Sequence, residues 1–186
     1  TKNYQINLNG NKWFNDNLKF KNTFYYRDTK SAYDSSDTKE DSVTSDNKMY
    51  ALQTGLEHKT NNLFDNIIFH YHNYDRKYYV QGKKDKYYSE SFVAKAERDV
   101  TYNNNLSYGF GAEYKYDWGH YQTTTFSSQT KGHLSNVGIF ANIGLKLNKN
   151  QFLSFHTRND DHKETGGNKT YKLNFTQLLG KIKLGF

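Results

Sequence analysis

The sequence predicts an all-β fold, an antiparallel up-and-down sheet of the transmembrane β-barrel kind, and three observations carry that prediction. Apolar and polar residues alternate with a period of two through most of the chain, the side-chain repeat of a strand rather than of a helix. The composition is polar yet aromatic: of 186 residues 17% are aromatic, with 17 Tyr and 13 Phe, while only 34% are hydrophobic and 24% charged. A mean hydropathy of −1.04 is too polar for an ordinary core, and so many aromatics do not belong to a disordered chain. A sheet with one face to lipid and the other to water accounts for both. Finally, the connections between patterned segments alternate between short and long, as in strands that cross a slab between a tight rim and a looped rim.

Taken in order, about ten segments carry the pattern. Tyr4, Ile6 and Leu8 share one face of the first, a short strand, and Leu18, Phe20, Phe24 and Tyr26 share one face of the second over Lys19, Lys21, Thr23 and Arg27. Weaker alternation follows through Tyr50, Leu52 and Leu56, then Ile67, Phe69 and Tyr71, then Phe92, Ala94 and Ala96. The clearest run is Leu106, Tyr108, Phe110, Ala112, Tyr114, Tyr116 and Trp118, set against Ser107, Gly109, Gly111, Glu113, Lys115 and Asp117. Val137, Ile139, Ala141, Ile143, Leu145 and Leu147 repeat it, with Phe140 as the exception on the polar face. Leu153, Phe155 and Thr157, then Tyr171, Leu173 and Phe175, then Ile182, Leu184 and Phe186 complete the set. Short connections fall at residues 10–17, 60–65, 100–105, 148–150 and 179–180, rich in the Asn, Asp and Gly that turns use; long ones fall at 28–47, 80–86, 119–132 and 159–168. A soluble β-sandwich is the competing fold, but its apolar face would be built of Val, Ile and Leu rather than Tyr and Phe.

The absence of Cys excludes a disulfide framework, a zinc–thiolate site, a cysteine nucleophile and an iron–sulfur cluster. No apolar run reaches the ~18 residues of a membrane helix. A formal charge of +7 invites a nucleic-acid reading, but the lysines are dispersed over the polar faces of different strands (Lys19, Lys21, Lys95, Lys115, Lys146, Lys172, Lys181 and Lys183) and no nucleic-acid partner is expected. On a barrel those lysines line the lumen.

Three clusters are weighed for chemistry. His70 and His72 share a strand face, and Asp160, Asp161 and His162 follow a strand end; either set could hold a metal or activate water, but neither shows the third and fourth ligands of a site. Asp34, Asp37, Asp41 and Asp46 could offer oxygens to Ca²⁺, yet their spacing is irregular and fits a solvated loop. No catalytic residue, metal site or cofactor is therefore expected. Trp118, Tyr121 and Arg158 stand at the loop ends of strands, where they are the candidates for contact with a substrate, aromatic girdle anchoring being the other role for such positions.

The stretch from Leu153 through Phe155, His156, Thr157, Arg158, Asn159, Asp160, Asp161 and His162, followed by Gly166, Gly167, Asn168, Lys169, Thr170, Tyr171, Lys172 and Leu173, resembles the TonB-dependent outer-membrane receptors. In that family a strand ends in an Arg-x-Asp-x-His-like loop marked by Gly, and a Thr-Tyr-Arg-Leu-like strand leads to a final segment whose place Lys181 to Phe186 takes here. The likeness in spacing runs from about Leu106 to Phe186, and within the family it points to the vitamin B12 and siderophore receptors. The resemblance implies a bacterial outer-membrane protein whose barrel has twenty-two strands, with residues 1–186 as a partial barrel domain. It also implies an amino-terminal plug outside this segment, energy coupling through TonB, and a siderophore or corrinoid as the imported chelate, with no covalent chemistry. The alternatives are a complete small barrel that passes anionic solutes through a lysine-lined lumen and, ranked last, a barrel hydrolase using Asp160, Asp161 or His162.

Overall fold

The computed structural model describes residues 2–33, 43–80, 83–124, 127–179 and 182–185. They form ten strands: β1 Lys2–Trp13, β2 Leu18–Tyr33, β3 Val43–Lys59, β4 Leu63–Val80, β5 Lys83–Thr101, β6 Leu106–Thr123, β7 Ser128–Asn148, β8 Gln151–His162, β9 Gly166–Leu179 and β10 Ile182–Gly185. Every strand pairs antiparallel with its neighbours in the chain, giving one sheet in the order β1 to β10. The all-β, up-and-down expectation holds. The register shifts only between Lys146 and Asn148.

The loops at the far rim are shorter than the sequence pattern implies. Strands continue to Val80, Thr123 and His162 and resume at Lys83, Ser128 and Gly166, so 80–86, 119–132 and 159–168 are mostly strand. Within 28–47, β2 and β3 stay paired out to Tyr33 opposite Val43. The first strand is also longer than expected, with Lys2 to Trp13 all in register with β2. The physical reason is common to all of these: ladder hydrogen bonds are made by the backbone and persist where side chains cease to alternate. Asp34, Asp37 and Asp41 lie outside the described residues, while Asp46 sits on β3 and faces the Lys30 ammonium at 3.6 Å.

Because side chains alternate, the register sorts residues into rows on two faces. On one face Leu52, Tyr71, Phe92, Tyr116 and Ser135 stand in line across five strands; on the other Gln53, His70, Val93, Lys115 and Asn136 do. The apolar face is uncovered: Ile6, Leu8, Phe69, Phe110, Ile139 and Leu173 are all exposed, and Val43 is the only apolar side chain buried among the described residues. The accessible surface is 13083 Å², against about 9,300 Å² for a compact monomer of this mass. The polar face is the concave one, since its side chains meet across an intervening strand. Arg158 on β8 reaches over β7 to Glu113 on β6 at 2.8 Å, and Lys95 on β5 lies 5.3 Å from the Phe140 ring on β7.

The near rim is built by asparagine. Asn15 Oδ1 accepts from the backbone N–H of Asn17 and Leu18 at 2.9 and 2.8 Å, and Asn103 Oδ1 accepts from Asn105 and Leu106 at 2.8 and 2.9 Å. Asn148 Oδ1 accepts from Asn150 at 2.9 Å. Each carboxamide substitutes for a ladder partner where the chain reverses. Replacing Asn103 with Ala is expected to lower unfolding stability by about 1 kcal/mol, read from the urea midpoint after folding into lipid vesicles, whereas Asn104→Ala should leave the midpoint unchanged.

Candidate functional site

The polar face carries its densest aromatic and cationic group near the far rim. Register sets Asn47, Arg76, Tyr87, Tyr121 and Thr130 in one row across β3 to β7. The Arg76 guanidinium carbon lies 5.9 Å from the Tyr87 ring and 5.4 Å from the ring of Tyr78 on its own strand. Tyr87 stacks on Tyr121 with ring centroids 4.5 Å apart and planes 28° from parallel. The buried Arg76 Nε has no hydrogen-bond partner, and no carboxylate pairs with Arg76 among the described residues. A guanidinium that ring faces hold keeps its terminal Nη donors free of any carboxylate.

The row is bounded on both sides. Beyond it stands Asp85, whose Oδ1 is buried without a partner; before it, Tyr74 donates to Asn47 Oδ1 at 3.0 Å. Gly119, opposite Ser89, leaves the wall open there, since a Cβ at that position would meet only the Tyr88 carbonyl oxygen at 3.9 Å. The hydrogen bond to Tyr121, then partial burial, raise the Tyr87 phenol above its ordinary value, so it stays a neutral donor. This concave, tyrosine-lined surface holds a cation with no ion-pair partner among the described residues, next to the Asp85 carboxylate, and its Nη and phenol donors are suited to charge-assisted hydrogen bonds with an anion.

The three substrate-contact candidates do not converge. Tyr121 belongs to the row. Trp118 lies three residues away and therefore on the apolar face, edge-on to Tyr88 at 5.3 Å. There it joins a band in which Tyr71 and Tyr88 both donate to Glu90 Oε1, at 2.9 and 2.5 Å, and Tyr50 packs on Tyr71 at 5.9 Å, the arrangement of a girdle. Arg158 is on the polar face but opposite Phe140 and Gly111, ten residues or ~33 Å along β6 from Tyr121. Its Nε donates to Asp160 Oδ2 at 2.8 Å and its Nη2 to Glu113 Oε1 at 2.8 Å, so it is occupied by its own carboxylates.

The remaining candidates resolve similarly. His70 and His72 share the polar face with rings 6.4 Å apart, and the described residues hold no group of three or more potential metal ligands. Asp160 is bound by Arg158 and by Asn136, and Asp161 alternates to the opposite face, so the pair does not act on one point. Three of the lysines on that wall are paired with acids: Lys21 bonds Glu57, Lys95 bonds Glu97 at 2.6 Å and Lys115 bonds Asp117 at 2.8 Å. Lys30, Lys48, Lys77 and Lys84 edge a charged pocket with Asp28, Asp46 and Asp75.

Among solved structures, the chain is similar to the siderophore receptor PirA from Pseudomonas aeruginosa, with a TM-score of 0.76 and 12% identity over 98% of this chain and 32% of that one. PirA from Acinetobacter baumannii gives a TM-score of 0.76 and 16% identity over 98% and 32%. The outer membrane transporter YddB from Escherichia coli gives 0.73 and 13% over 94% and 29%. No protein-family model matches the chain, and no curated protein does. At these identities the likeness establishes the fold, a stretch of sheet matching the walls of outer-membrane transporter barrels. The chain spans about a third of the length of those receptors.

The Arg158 bridge across β7 depends on Gly138, where a Cβ would come within 2.6 Å of Arg158 Nη2 and 2.7 Å of Asp160 Oδ1. Gly138→Val is therefore expected to break the bridge and cost about 1 to 3 kcal/mol of unfolding stability. The loss should be non-additive with Arg158→Gln in a double-mutant cycle; simple additivity would show that the glycine acts for another reason.

Proposed function

We propose that this chain forms part of the wall of a bacterial outer-membrane transport receptor that captures a scarce anionic metal chelate, of the siderophore kind, at the Arg76 row. In this reading the bare apolar face lies against lipid, the concave polar face lines the lumen, and the asparagine turns face the periplasm with the far rim outside. The ten strands are then a portion of a twenty-two-stranded barrel. A plug and TonB coupling elsewhere in the receptor release the ligand inward. The observation that carries the reading is the uncompensated Arg76 between tyrosine rings on the inner side of a sheet whose outer side is uncovered. It lies beyond the apolar band, five residues past Phe92 when counted from its partner Tyr87, which suits capture from outside. A chelate with peripheral carboxylate or catecholate oxygens suits it better than a corrinoid does, because those oxygens accept from guanidinium and phenol together. A passive anion channel is less well supported, since its selectivity would need free lysines along a wall where acids pair with several of them.

Uptake of radiolabelled ferric citrate and ferric catecholates by cells expressing the receptor tests this. Saturable uptake that disappears when the energy-coupling complex is deleted, and that falls about tenfold or more with Arg76→Ala, is expected. Uptake indifferent to both changes would overturn the reading. The face assignment has its own check on adjacent residues of β4. Phe69→Lys, in the middle of the apolar band, should cost about 2 to 4 kcal/mol of folding stability in a bilayer, while His70→Lys should leave it nearly unchanged. A reversed order would mean that the apolar face is not the lipid face.

A further inference from the structure

The apolar face contains a groove that its row structure explains. Leu56, Ile67, Ala96, Ala112 and Ile139 stand in line across β3 to β7. Two alanines between branched side chains leave a trough floored by β5 and β6, and its volume is about 720 Å³. Its near-rim end is closed one row below by charged side chains, which are out of place on such a face. Arg98 Nε donates to Asp65 Oδ1 at 2.6 Å and Nη2 to Asp65 Oδ2 at 3.0 Å, and His58 Nδ1 lies 3.4 Å from Asp65 Oδ2. The pair is matched but open: the side chain of Arg98 is 49% exposed, and its Nη1 has no partner among the described residues.

We propose that this trough is a binding site for one phospholipid with a zwitterionic, amine-bearing headgroup, its acyl chain over Ala96 and Ala112 and its headgroup on the Arg98–Asp65 pair. The proposal rests on the reading above that the apolar face lies in the membrane. Depth supports it, because Arg98 is three residues from Thr101, where β5 ends, and Tyr102 is exposed in the adjoining turn, which is the level of headgroups in the periplasmic leaflet. Charge complementarity selects the headgroup. A lone arginine would favour any anionic lipid, whereas a guanidinium beside a carboxylate presents both signs in the order that a phosphate and a neighbouring ammonium answer. The phosphate accepts from the free Nη1, and the ammonium donates to Asp65, which His58 holds from the other side.

Native mass spectrometry of the receptor extracted from its own membranes is the test. The wild type should retain one phosphatidylethanolamine through delipidation, in preference to phosphatidylglycerol. Asp65→Asn/Arg98→Gln removes both charges without leaving either unpaired, and Ala112→Leu fills the trough without touching the pair. Each should lower retention about fivefold, with circular dichroism confirming the fold; where one variant fails to fold, the other decides. No retained phosphatidylethanolamine, equal retention of phosphatidylglycerol, or folded variants that retain lipid like the wild type would overturn the proposal. Absence of the protein from the membrane fraction would overturn the transport reading instead.

Discussion

The constraint on which everything else depends is the antiparallel register that nine full-length strands keep with one shift among the described residues. Side chains on a strand repeat with a period of two, so a slip of one residue in any strand would carry its entire apolar set to the water side. The ladder prevents this by running from Lys2 opposite Lys30 to Gln151 opposite Gln177 with a single shift at Lys146. Rows across the sheet are a consequence of that ladder, and each site is a row: Arg76, Tyr87 and Tyr121 on one side, Ala96, Ala112 and Ile139 on the other. Neither set is adjacent in sequence.

The faces were legible because lipid and water impose opposite demands on alternate residues, which is why residues 106–118 and 137–147 read so cleanly. The reversal before β9 reads in the sequence as a long connection over 159–168, but it is tight, and Gly166 permits it with a φ of 87°, in the left-handed region that other residues avoid. What escaped the sequence was the far rim. Beyond the apolar band both faces meet water, alternation loses its cause, and strand reads as loop although the backbone still pairs. Arg76 was missed for that reason, since it sits among Tyr74, Lys77, Tyr78 and Tyr79, where polar and aromatic residues fall on both faces. Parity held the missing signal: Arg76 is an even number of residues from His70 and His72, whereas Trp118 and Tyr121 are an odd number apart and therefore oppose each other.

Composition alone also overstates the charge of the inner wall. A formal +7 suggests a positive lumen, yet the strand places an acid two residues from a base in Lys95–Glu97, Lys115–Asp117 and Arg158–Asp160, on the same face and within reach. Glycine completes this arrangement on β6 and β7. Gly111 lies against the Phe140 ring and Gly138 beneath Arg158, so side chains pass over these strands and tie β8 to β6. Rigid pairing of this kind fixes the shape of a wall and removes part of its positive charge.

Three arginines show how neighbours, rather than residue type, set the role of a charge on this sheet. Arg158 meets Asp160 two residues along its strand and Glu113 two strands away, so its donors are consumed and its work is structural. Arg98 meets one carboxylate along one edge and keeps the other open, which suits a dipolar headgroup at the membrane surface. Arg76 meets only ring faces, and these stabilise the cation without occupying its in-plane hydrogens. A buried guanidinium nitrogen with no acceptor is costly, and the flanking tyrosine rings offset part of that cost. That cost bears on where the residue sits: Arg76 lies above the apolar band, and deeper in the sheet an arginine without a carboxylate would be harder to sustain.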